Sequence, residues 1–289
     1  MRIGLLVVGV VSSLLLGVQA PIARSQTQVV SAAPQPSATT PVLDSLLAAQ
    51  AAVLPGEVGR PIPPVDGAPQ PPLAGAPQPG SGSSLPKVDC RKHKCIALTL
   101  DDGPSPQTAR ILDQLAALKA PATFFVVGRQ VGHYRGVLRR MAAEGHTIGN
   151  HSWSHPWFWK LSPAGMRTEL DKTNRAIRKL TGVQPRYVRP PYGNVNAAVK
   201  KAAKSRGLAV VDWSIDPEDW KVRDTTSVIK RVVGAARPGA IILSHDLYPT
   251  TRKAIGPIIT KLRAKGYVFV SLDDLLGQTR PGKVYRQRG

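Results

Sequence analysis

From Lys87 onward the chain repeats one unit: a short apolar run, then a longer stretch with apolar residues at helical spacing. Residues 96–100, 122–127, 147–150, 187–189, 209–213, 240–244 and 267–271 read as strands. Between them, Ile111, Leu112, Leu115 and Leu118 form one helical stripe, and Met166, Leu170, Ile177 and Leu180 another. Ser162-Pro163 and Asp224 are helix-start signals, and Gly207 and Gly266 stand where helices end. Repeated strand–helix units imply a parallel sheet with helices outside it. Seven units between Lys87 and Gly289 fit a closed or nearly closed barrel of parallel strands better than an open doubly wound sheet. No GxGxxG follows the first strand, which also argues against a dinucleotide fold.

The barrel accounts for residues 87–289 only. Arg2 followed by the uncharged apolar run 3–18 reads as an export signal over residues 1–25. The run is short for a membrane span, which needs about 20 residues, although an uncleaved amino-terminal anchor is the alternative. Pro21 disfavours a cut after Ala20 and places it between Ala23 and Ser25, and no Cys follows the run to carry a lipid. Residues 26–86 are mostly Pro, Ala, Gln, Gly and Ser, too poor in apolar bulk to offset their ordering entropy. They read as a disordered tether in which only 42–54 has the makings of a short helix. Export directs the protein outside the cell or to the wall.

Charge divides at the same boundary. The first 86 residues balance three basic against three acidic side chains, so the net charge of +21 belongs to the remainder. Such a balance favours an anionic neighbourhood such as cell-wall polymers, anionic lipid or nucleic acid. Nucleic acid is disfavoured, because the basic residues are scattered and no aromatic-interleaved binding motif accompanies them. No stable protein partner is indicated. The only cysteines, Cys90 and Cys95, read in an exported chain as a disulfide closing a small ring, worth about 2 kcal/mol. Zinc binding by this pair with His93 is the weaker reading, since four ligands are not on offer there.

In parallel barrels chemistry collects at the carboxyl ends of strands. The first strand ends in Asp101-Asp102-Gly103-Pro104, and two neighbouring buried acids are costly without a cation beside them. The strand at 147–150 runs into His151-Ser152-Trp153-Ser154-His155. Two histidines four apart share a face if the segment coils into a helical turn, which suits a divalent metal with a carboxylate as third ligand. His146, close by, reads as a histidine hydrogen-bonded within the fold.

Five segments occur in order: TLDDGPS at 99–105, HSWSH at 151–155, RPPY at 189–192, DPEDW at 216–220 and LSH at 243–245. Together they resemble the five motifs of the polysaccharide deacetylases, the NodB homology domain of carbohydrate esterase family 4. The resemblance runs from Lys94 to Leu276, and its one departure is Leu100, where the family often has Phe. It implies a distorted (β/α) barrel of about seven parallel strands and one divalent metal, usually zinc, with cobalt, nickel or manganese as alternatives. Asp102, His151 and His155 correspond to its ligands and Asp101 to the general base. Arg189 would hold Asp101 ionised, and the backbone N–H of Tyr192 would steady the tetrahedral oxyanion. His245 would be the general acid, kept protonated by Asp216, and Trp220 and Leu243 would wall the acetyl pocket. The substrate implied is an N-acetylglucosamine-type polysaccharide, with peptidoglycan first and chitin-like oligomers second. An O-acetyl esterase on xylan or a related glycan shares the same machinery. An inactive glycan-binding wall protein would lack a ligand, base or acid, and none is missing. A glycosidase needs two carboxylates flanking the scissile bond about 5 Å or more apart, which sequence neighbours do not offer.

Overall fold

The computed structural model describes residues 88–289; the expected leader and tether lie outside them. Eight strands form one sheet: β1 Lys94–Asp101, β2 Thr123–Val126, β3 Thr147–Asn150, β4 Tyr187–Val188, β5 Ala209–Val211, β6 Ile241–Ile242, β7 Tyr267–Phe269 and β8 Val284–Tyr285. Their order is β6-β1-β2-β3-β4-β5-β8, with β7 also on β1, and every pairing is parallel. Isolated bridges, Ile215 with Ile242 and Ala240 with Gln287, link the two sides of the curled sheet into a distorted barrel.

Strand β1 organises the sheet because it is long enough to serve three neighbours. Residues 94–96 pair with β7, 97–98 with β6 and 99–101 with β2. Its residues from Cys95 on are all buried, as expected of a parallel strand covered on both faces. Ile96, Leu98 and Leu100 belong to the large cluster that also holds Ile111, Leu112, Leu115, Ile255 and Ile258 of the surrounding helices. Cys95 and Ala97 belong instead to a second cluster with Phe125, Tyr187, Val211 and Ile241. Alternation along the strand therefore separates helix-facing from interior residues.

The helical stripes lie where their spacing predicts, with Ile111, Leu112 and Leu115 buried in α1 (Thr108–Ala117). Met166, Leu170 and Ile177 are likewise buried in a later helix, Pro163–Thr181. Ser162 caps that helix by accepting the Gly165 N–H, and Asp224 caps Thr225–Ala235 by accepting the Ser227 N–H. No pattern in the sequence signals the eighth strand. Val284-Tyr285 is only two residues long between Lys283 and Arg286, too short for any period to register, and its pairing with β5 creates it. Cys90 and Cys95 are disulfide-bonded just before and at the start of β1.

Candidate active site

Two-residue periodicity puts Thr99 and Asp101 on the interior face of β1 that Cys95 and Ala97 begin. Arg189, one residue past β4, is completely buried and reaches them both. Its Nη1 donates to Asp101 Oδ1 and to Thr99 Oγ1, each at 2.7 Å. Nε donates to Val211 O at 3.2 Å and Nη2 to Asp212 O at 2.9 Å. The guanidinium lies 4.3 Å from the Phe125 ring centroid, so its flat face is covered while its edge is used up by acceptors. A buried charge is tolerable only when paired and bonded in this way; removing one partner costs about 3–5 kcal/mol.

Asp102 leaves the strand at φ 75°, a left-handed conformation that swings its carboxylate away from Asp101. The room for this turn comes from Gly103: a Cβ there would lie 2.1 Å from Asp246 Oδ2. Asp246 is itself fully buried; it accepts from Thr108 Oγ1 at 2.5 Å, and its N–H donates to Asp101 O. Burial, with the charges of Asp102 and Asp101 adding to it, pushes its carboxyl up to about 7, although the Thr108 bond opposes the shift. Asp246, buried against Gly103, and its donor Thr108 carry no motif or periodic signal in the sequence.

The histidine pair converges by a different route from the helical turn expected. Residues 151–155 form an irregular loop in which Ser152 (φ 66°) and His155 (φ 60°) are left-handed. Side chains from elsewhere hold the loop. Glu169 Oε2 accepts the N–H groups of Trp153 and Ser154, each at 2.8 Å, and Asn150 Oδ1 accepts that of Ser152. Ser152 Oγ then accepts the His155 N–H.

Asp102, His151 and His155 come together as a triad whose ligand atoms lie within 4.8 Å of one another. The donor set fits a divalent cation. His151 Nδ1 lies 2.6 Å from Arg189 O and must carry the proton there, which leaves Nε2 with a lone pair. Asp102 Oδ1 is buried without a properly aligned donor, 3.3 Å from His151 Nε2 and 3.1 Å from His155 Nε2. Electron pairs facing one another at that range are repulsive unless a cation lies between them.

Across the site, His245 follows β6 and bridges to Asp101. Its Nδ1 lies 2.7 Å from Asp219 Oδ1, and its backbone N–H donates to Asp219 Oδ2, which also accepts from Thr251 Oγ1. The aspartate bonded to His245 is Asp219, not the expected Asp216. The Asp216 carboxylate accepts the Glu218 N–H in its own turn and contributes to His245 only through space. Sequence offers no way to choose between two aspartates three apart when the segment between them is irregular; Glu218 is left-handed at φ 53°. Burial alone would lower the His245 pKa, but the bond and charge of Asp219, with Asp102 and Asp101 adding, raise it to about 9. Leu243 is buried just after β6, and Trp220 is half-buried, its backbone N–H donating to Asp219 Oδ1. Tyr192, left-handed at φ 63°, packs its ring T-shaped with that of His155, centroids 4.7 Å apart. His146 lies away from the triad, its Nδ1 accepting the Ala122 N–H.

A carboxylate–imidazole triad beside a second carboxylate, at the carboxyl ends of parallel strands, defines a metal-and-acid centre at the mouth of a barrel. The family model described as polysaccharide deacetylase matches residues 89–211. A peptidoglycan-N-acetylglucosamine deacetylase of Listeria monocytogenes is 42% identical over 208 residues, which cover 71% of this chain and 44% of that protein. A chitooligosaccharide deacetylase of a Bradyrhizobium strain is 37% identical over 198 residues, 63% of this chain and 90% of that one. A solved structure described as T48 deacetylase with substrate superposes with a TM-score of 0.66 at 40% identity, covering 68% of this chain and 99% of that one. The chain belongs to the polysaccharide deacetylase family. It spans less than half the length of the Listeria relative.

Proposed function

We propose that this chain is an exported, metal-dependent hydrolase that removes N-acetyl groups from N-acetylglucosamine-type residues of a polysaccharide. Peptidoglycan is the first substrate and a chitin-like oligomer the second. The observation that carries the reading is the division of labour between adjacent carboxylates: Asp102 faces two imidazoles while Asp101 is gripped by Arg189. Asp102, His151 and His155 would hold the cation, with zinc the first choice for a set of two nitrogens and one oxygen. When bound, a divalent cation there supplies Lewis-acid activation of water and of the acetyl carbonyl.

The chain's own residues do the remaining work. Arg189 occupies Asp101 Oδ1, so Oδ2, 3.9 Å from His151 Nε2, is the oxygen that takes the proton of the attacking water. As the acetyl carbon becomes tetrahedral, the Tyr192 backbone N–H donates to the developing oxyanion. His245, held charged by Asp219, gives its proton to the departing nitrogen as the C–N bond breaks, leaving acetate and a free amine. Leu243 and Trp220 would wall the space for the acetyl methyl.

Relatives named for peptidoglycan and for chitooligosaccharides support the substrate class. The net charge of +21 supports attraction to anionic wall polymers, and the apolar run 3–18 supports export. The test is acetate release by the purified chain on peptidoglycan, chitooligosaccharide and acetylxylan, with and without a chelator. Chelator-sensitive release from the first or second is expected. Release from acetylxylan alone would move the reading to an O-acetyl esterase, and no release from any of them would overturn it.

A further inference from the structure

The loop that carries His155 continues into Pro156-Trp157-Phe158-Trp159-Lys160, a run of aromatics that the chemistry above leaves unused. Phe158 is fully buried and packs with Met166, Leu170 and Val188, pinning the short turn Phe158–Lys160 to the domain. The tryptophans on either side of it are left outside, Trp157 at 41% and Trp159 at 53% exposure. Tyr192 is 50% exposed, and Leu247 at 37% is the one other large hydrophobic side chain exposed among the described residues. Trp157 and Tyr192 are stacked, with centroids 3.8 Å apart and planes 10° from parallel. Trp159 meets Trp157 edge-on at 6.4 Å. This rim is continuous with the triad, because the Tyr192 ring also touches His155.

Such a cluster is expensive to leave in water, and nothing in the fold requires it: the anchor is Phe158, and no core cluster includes either tryptophan. Its chemistry suits one kind of occupant. The faces of a pyranose ring carry C–H groups with a slight positive charge, and the face of an aromatic ring is negative. Rings already fixed by mutual stacking and a buried anchor lose little further entropy on binding. We infer that Trp157, Trp159 and Tyr192 form a stacking subsite for the sugar rings that neighbour the acetylated residue in a β-linked N-acetylhexosamine chain. The inference rests on the proposed reaction and deepens it: the subsite selects polymer over single sugar.

Chitopentaose titrated into the full chain carrying Asp101→Asn tests this through affinity alone. Adding Trp157→Ala or Trp159→Ala is expected to weaken binding by about tenfold each, with partial retention in the Phe variants. Circular dichroism should be unaltered, since both side chains lie outside the core clusters. Equal affinity with and without the tryptophans overturns the subsite, and acetate release by the parent chain in that case leaves the reaction standing. Tryptophan-dependent binding with no acetate release by the parent overturns the reaction and keeps the subsite. Self-association of the parent that the Trp variants abolish, with glycan affinity unaltered, overturns the subsite in favour of a contact between copies.

Discussion

At the scale of single residues, the site is decided by which atom each acid offers. Asp101 and Asp102 are neighbours, yet one lies on a strand face beside a guanidinium and the other turns out through a left-handed backbone. Asp219 likewise commits both oxygens to orienting His245. Asp219→Asn should therefore lower turnover by about 10²-fold, within the range of general acid catalysis. His245 is charged below about 9, so activity should fall as pH rises through that value. With the Asp219 charge removed, burial dominates and the alkaline limb should move to lower pH, whereas Asp216→Asn should move it far less. A pH–rate profile of the two variants checks this. Gly103→Ala drives a methyl into Asp246 Oδ2. It should cost about 1–3 kcal/mol and displace Asp102, read as a lower melting temperature together with less bound metal per chain.

At the scale of elements, β1 and the loop 151–155 position nearly everything. The apolar runs and helical stripes were legible because each is a local period within a window of four to fifteen residues. The histidine loop was not, because its shape depends on Glu169 and Asn150 accepting its N–H groups, and no period encodes left-handed residues at Ser152 and His155. The start of β3 offers a clean test of the same packing. Burial first, then the charge of Arg140, lowers His146 to about 4. The unfolded chain then binds the proton more readily than the folded one between its ordinary value near 6.5 and about 4. Stability is full above that window and is lost as pH falls through it. Denaturant unfolding at pH 7 and pH 4.5 should show this slope, and His146→Gln should flatten it.

At the scale of the whole molecule, the sheet is held together where its two sides approach. The carboxyl-terminal segment adds β8 to β5, pairs Arg286 with Asp212, and brings Arg288 to the Cys90 carbonyl. The Cys90–Cys95 ring spans only five positions, so reducing it removes about 2 kcal/mol. Deleting residues 283–289 uncovers the β5 backbone and strips Asp212 of its partner. It should lower the melting temperature by more than reduction of the disulfide does; the opposite order would show that the staple, not the strand, secures this region.

By itself the sequence determined the alternating strands and helices, the parallel barrel they build, and the five short segments where its chemistry is concentrated, because each is written in consecutive residues. Only the tertiary structure decided which acid serves His245, how His151 and His155 come to share a ligand point with Asp102, and that two residues near the carboxyl end become a strand. Those outcomes depend on groups dozens of residues apart meeting in a buried space, where a single hydrogen bond or positive φ angle redirects a side chain without leaving any trace in local pattern.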